Sequence, residues 1–217
     1  MNLKVGAIVL PQPWLRLGLA LHTPTNYYYM RDTWNSEIRT NFKNGDNYGE
    51  KSNSSSYVYK MRTPGRVIGS LAFVAKKFGL LSVDCEYVNY GNALLRNHQN
   101  SGDSYDFNYE NSISGQIYQP TLNIRVGGEY KITNYLMARA GYALNGQPFK
   151  GEYKDQATPK TKYSLGLGFR SEQFYIDLAV VHSQQKENYF LYDPILIENT
   201  VQTKKWTNGL VTLGFKI

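Results

Sequence analysis

Between Trp14 and Thr25 the chain reads WLRLGLALHTPT. Leu15, Leu17, Leu19 and Leu21 fall on one parity, and Trp14, Arg16, Gly18, Ala20 and His22 on the other. Strict alternation of period 2 predicts an extended strand with one apolar face. The opposite face carries small residues and one arginine instead of the mixed polar set of a solvated surface. Such a strand suits lipid on one side and a wet, crowded interior on the other, although strands of soluble sheets alternate too. What decides is whether the pattern recurs at membrane-spanning length.

It recurs along the whole chain. Asn2 to Val9 alternates, with Leu3, Val5, Ala7 and Val9 on one side, and Pro11-Gln12-Pro13 turns it into the Trp14 strand, whose extended pattern runs on towards Ile38. Tyr57 to Ala75 reads as one strand interrupted at Pro64-Gly65. Leu80 to Tyr90, Thr121 to Tyr130, Tyr135 to Leu144, Tyr163 to Arg170, Phe174 onward to Leu191, and Lys204 to Ile217 follow. A short helix is predicted near Phe107 to Tyr118. About nine strands result, near the 9–11 residues that a tilted strand needs to cross a bilayer. Their apolar rows carry no Lys, Arg, Asp or Glu through the middle. Short turns near 11, 77, 133 and 172 alternate with long polar loops near 39–56, 91–119, 145–160 and 192–203. That asymmetry belongs to membrane barrels, with short periplasmic turns and longer extracellular loops. The expected fold is all-β: one antiparallel up-and-down transmembrane β-barrel domain over 1–217, incomplete at this strand count.

Composition sharpens this picture without replacing it. No run reaches the roughly 18 apolar residues of a membrane helix, and the mean hydropathy of −0.48 is compatible with a barrel in which only alternate residues meet lipid. The 19 Tyr, 3 Trp and 9 Phe are what aromatic girdles at two membrane interfaces would use. An aromatic-rich sugar or lipid binder, a self-contained small barrel or β-sandwich, would use them as well. The formal charge of +7 is spread along the chain with no basic helix or stripe, so nucleic acid is not the expected partner. Outer-membrane lipid and lipopolysaccharide phosphates suit such charge better, with Lys43, Lys51, Lys150, Lys154, Lys204 and Lys205 as loop-side candidates. The single Cys85 excludes an internal disulfide. Met1 to Gly6 opens directly in a strand pattern with no cationic segment or apolar core. Either the protein starts in the cytoplasm or a signal peptide lies ahead of this chain.

With the strands laid out, the chain resembles the C-terminal part of FadL-type outer-membrane transporters of fatty acids and other hydrophobic compounds. The residues that carry the resemblance are Trp14-Leu15-Arg16-Leu17-Gly18 leading to His22-Thr23-Pro24-Thr25, then Thr63-Pro64-Gly65-Arg66, Arg125-Val126-Gly127-Gly128-Glu129-Tyr130 and Arg139-Ala140-Gly141-Tyr142. The resemblance implies a fourteen-stranded barrel plugged by an N-terminal hatch, of which this chain would supply the last nine strands. It implies passive transport by a monomer in the bacterial outer membrane, with no covalent chemistry and no cofactor. No position here matches the hatch.

The polar sides of the strands carry Arg16, Lys60, Arg62, Arg66, Asp84, Glu86, Arg125, Glu129, Arg139, Arg170 and Asp177. Charges inside a narrow lumen must be paired, so an ion-pair network is the plain expectation. The functional expectation is that some cations hold the carboxylate of an amphiphile. Lys60, Arg62 and Arg66 flank the Pro64-Gly65 break, where a kink would open space, and Arg125 and Arg139 complete the candidate set. Ile68, Val88, Met137 and Val181 share the polar parity and are the candidates for an acyl path. His22, His98 and His182 are isolated and lack metal-ligand spacing. A Ser/His/Asp hydrolase is the enzyme alternative, with no serine in a nucleophile-elbow pattern. Asp103, Asp106 and Glu110 lack the spacing of a calcium loop.

Overall fold

The computed structural model describes residues 1–98, 105–189 and 198–215. In chain order the strands are β1 (Lys4–Gln12), β2 (Leu15–His22), β3 (Asn26–Trp34), β4 (Glu37–Asn41), β5 (Asn47–Lys51), β6 (Ser55–Arg62), β7 (Arg66–Ala75), β8 (Gly79–Asn89) and β9 (Leu94–Asn97). Helix α1 (Asn108–Ile117) follows where the sequence predicts it. After it come β10 (Pro120–Lys131), β11 (Leu136–Asn145), β12 (Lys160–Arg170), β13 (Phe174–Tyr189) and β14 (Thr200–Phe215).

Nine strands form one sheet in the order β1-β2-β7-β8-β10-β11-β12-β13-β14. Every neighbouring pair is antiparallel. The sheet is therefore an up-and-down meander of the nine expected strands, the architecture of a transmembrane β-barrel. Within it β1 and β14 each border a single strand.

The burial is inverted relative to a water-soluble domain. Glu86, Thr121, Asn123 and Ser183 are buried, whereas Leu165 and Val211 are each 69% exposed. The apolar row of β12 is Tyr163, Leu165, Leu167 and Phe169, all of them exposed. A bare apolar face of this extent exceeds what a soluble monomer tolerates. It is the face a barrel turns to lipid. Among the described residues no second sheet covers it, which sets aside the β-sandwich alternative. Exposed rings gather at its two ends. Phe73, Tyr130, Phe169 and Phe215 sit beside the short turns, with Trp14 stacked on Phe73 at 6.0 Å. Tyr87, Tyr142 and Tyr163 sit at the long-loop end. Two aromatic belts are what an amphipathic ring prefers at membrane interfaces.

A second, three-stranded sheet, β3-β6-β9, continues the first. His22 faces Arg66 across β2 and β7, and Asn26 faces Arg62 across β3 and β6 with no change of register. The two sheets are the same long strands divided by a transverse crease. Pro24 and Pro64 lie in it side by side, and neither can donate to a ladder. The crease is stitched by the Thr63 N–H donating to the Thr25 carbonyl at 2.9 Å and the Thr25 N–H donating to Thr63 Oγ1 at 3.3 Å. Gly65 is needed because a Cβ there would stand 2.9 Å from the His22 carbonyl oxygen. Beyond the crease a bulge sets Tyr28 and Tyr29 opposite Lys60. A 3₁₀ turn at Tyr90–Asn92 offsets β9 from β8.

The long polar segments have structure of their own. The 39–56 stretch contains most of the β4–β5 hairpin, so the chain does not run straight from β3 to Ile38. Lys204 and Lys205, at the loop-side start of the expected last strand, lie on β14, which begins earlier than expected, at Thr200, and Lys204 is paired with Glu187. The reason is that β13 and β14 stay in register from Phe174↔Phe215 to Tyr189↔Thr200, well beyond the apolar band.

Candidate functional site

The chemistry-bearing residues lie on the polar face, and cross-strand register sorts them into three groups. The first is centred on Arg139 of β11. It faces Glu129 of β10 and donates from Nε to Glu129 Oε2 at 2.8 Å. Its Nη1 donates at 2.5 Å to Asp177 Oδ1 on β13, two strands away. The intervening strand β12 allows this because it presents Gly166 and Gly168. A Cβ at Gly168 would stand 2.5 Å from Asp177 Oδ1 and 3.2 Å from Arg139 Nη1. Gly168→Val should therefore break the Arg139–Asp177 bond and lower stability by about 1–3 kcal/mol. The check is a double-mutant cycle with Asp177→Asn. The Asp177 change should then add little in the Gly168→Val background, and full additivity would contradict the assignment.

The second group is centred on Glu86 of β8, whose side chain is 5% exposed. It accepts from Asn123 Nδ2 at 2.8 Å and lies 3.4 Å from Arg125 and 3.7 Å from Arg66. Asn123 is anchored in turn, its Oδ1 accepting the Gly146 N–H at 3.1 Å. The third group is Lys60 and Arg62 of β6 with Arg96 of β9, around a cavity of about 70 Å³ that Asn26, Tyr27 and Tyr28 also border. Lys60 and Arg96 are directly opposite one another.

Three of the five head-group candidates thus have carboxylates at hand: Arg66 and Arg125 share Glu86, and Arg139 holds Glu129 and Asp177. Lys60 and Arg62 are drawn together with each other but not with Arg66, from which the crease divides them. Arg96 was missed because 91–119 reads as loop. The signal was Leu94-Leu95-Arg96-Asn97, a short strand whose Arg96 faces Lys60.

Between the first two groups the polar face holds a cavity of about 550 Å³. Its floor is small residues, Gly127, Gly141, Ser164 and Gly166, with Arg125, Asp84 and Lys162 towards one end and Arg139 with its acids at the other. Of the acyl-path candidates, Val181 borders this cavity. Ile68 and Val88 flank Glu86 instead, Ile68 facing it and Val88 facing Arg66. Met137, 6% exposed, lies on the short-turn side of Arg139. The four are not brought into one continuous lining.

The crystal structure of a Pseudomonas aeruginosa FadL homologue matches the chain with a TM-score of 0.57 at 16% identity, covering 97% of this chain and 50% of that one. What the two share is the fold, an antiparallel up-and-down β-barrel. The chain spans half the length of that protein. No family model and no curated protein matches it. On this fold the polar face is the luminal one and the apolar face meets lipid.

The remaining candidates lie apart from these groups. His182 Nδ1 is 2.9 Å from Thr207 Oγ1, on the apolar parity of β13. Among the described residues no three His, Cys, Asp or Glu converge as a metal site. Asp103 lies outside the described residues, Asp106 accepts the Asn108 N–H at 3.0 Å, and Glu110 accepts the Tyr105 hydroxyl. That bond holds the Tyr105 phenol above its ordinary titration range.

Proposed function

We propose that the protein carrying this chain passes hydrophobic compounds, fatty acids first among them, across a bacterial outer membrane without covalent chemistry. The observation that carries this is the sidedness of the nine-stranded sheet. A bare apolar face backs a polar face that carries an open hollow of about 550 Å³, on a fold shared with a FadL homologue. The bound charges suit the role: Arg66, Arg125 and Arg139 are matched by acids, and the floor between them is small residues. A drug-sized hydrophobic ligand needs a cavity of roughly 300–1,000 Å³.

The test is uptake of a neutral hydrophobic fluorophore by proteoliposomes carrying the full-length protein. Ser164→Trp, which fills the cavity floor, should slow uptake several-fold while the barrel still folds. Uptake no faster than in protein-free liposomes would remove the reading, and so would indifference to Ser164→Trp.

A further inference from the structure

We propose that Lys60, Arg62 and Arg96 form an oxyanion site specific for a phosphate group. Lys60 and Arg62 alternate on β6, and Arg96 faces Lys60 from β9. Directly opposed side chains have Cβ atoms roughly 4.5–5.5 Å apart, and like charges there are destabilising. Elsewhere on the polar face Arg66, Arg125 and Arg139 each meet a carboxylate. Lys60, Arg62 and Arg96 meet none among the described residues. Three cations held together without an acid are matched by an anion from outside the chain.

The cavity of about 70 Å³ between them has room for a compact oxyanion, and the charge of the cluster says what kind. Two guanidinium forks and one ammonium suit an oxyanion with several acceptor oxygens. A phosphate monoester, at about −1.5 to −2 near pH 7, balances three positive charges better than the single charge of a carboxylate. Lys60 and Arg62 are partly exposed, and Arg96 is exposed at the rim. Asn26 borders the cavity, and the bulge places Tyr28 and Tyr29 across from Lys60. The site stands beyond the crease, on the long-loop side of the Glu86 group. The phosphate could be carried by an amphiphile or be free, and the recognising chemistry is the same.

The test uses the full-length protein in neutral, phosphate-free detergent at constant ionic strength. Inorganic phosphate, lysophosphatidic acid and oleate are titrated separately by calorimetry, and unfolding midpoints are read with and without phosphate. Phosphate should bind and raise the midpoint. The double variant Lys60→Gln with Arg96→Gln should weaken binding at least about tenfold. Without phosphate the variant should unfold at or above the parent's midpoint, because neutralising the opposed pair relieves repulsion. Tighter binding of lysophosphatidic acid than of inorganic phosphate identifies a lipid-borne group, and equal binding identifies the free ion. The proposal is overturned if phosphate binds parent and variant alike or binds neither. It is also overturned if oleate binds this site more tightly than phosphate. A variant less stable than the parent in phosphate-free buffer would overturn it too, since the cations would then have an acid within the protein. None of these readouts depends on transport, which the neutral fluorophore tests separately.

Discussion

Leu165→Arg should cost about 2–4 kcal/mol of folding free energy in a bilayer, the range for a cation at the lipid-facing midplane of a barrel. Leu165 is central on β12, between Ala140 and Val180 in the ladder, and its side chain touches no covering layer. The adjacent position makes the comparison sharp. Ser164 points to the opposite, polar face beside Gly141 and Val181. Ser164→Arg puts the same charge one residue away in a wet cavity, and should lose markedly less. Urea titration of both variants refolded into phospholipid vesicles measures the difference. In a water-soluble binding protein the order would differ. An exposed Leu→Arg change would stay within about 0.5 kcal/mol of zero, and that result would remove the membrane reading.

Arg139→Ala is expected to be the most damaging single change on the polar face. It leaves Glu129 and Asp177, whose side chains are 18% and 22% exposed, facing one another with no cation between them. Stranding one side of a fully buried ion pair costs about 3–5 kcal/mol. The Arg139 side chain is 32% exposed, so solvent screening lowers the expectation to about 2 kcal/mol. Part of that loss is the penalty on the stranded acids, and it is recoverable. Adding Glu129→Gln and Asp177→Asn to Arg139→Ala should restore much of the stability, because no unpaired charge remains. Equilibrium unfolding of the single and triple variants checks this. A neutral Arg139→Ala would mean that the three-strand bridge contributes nothing.

The period-2 alternation determined much of this protein. It specified nine strands, the face each residue takes and the position of the short turns, while Pro64-Gly65 marked the break. A side-chain period of two leaves little choice of face once one side is apolar. The same alternation is silent about which residues stand opposite one another, since sliding a strand by two residues keeps every face unchanged. Register was therefore left to the tertiary structure, and the site is made of register. Arg139 meets Asp177 across 38 residues of sequence and one intervening strand, and the glycines at 166 and 168 open the way. The candidate cations looked like one luminal set along the chain. Cross-strand pairing divided them, giving Arg66 and Arg125 to Glu86 and leaving Lys60 and Arg62 to face Arg96. Arg96 could not be placed from its own neighbourhood, because a strand of four residues is too short for its period to stand out from a loop. Faces come from local stereochemistry, repeated every second residue. Partners come from long-range hydrogen-bond register, which no local pattern encodes.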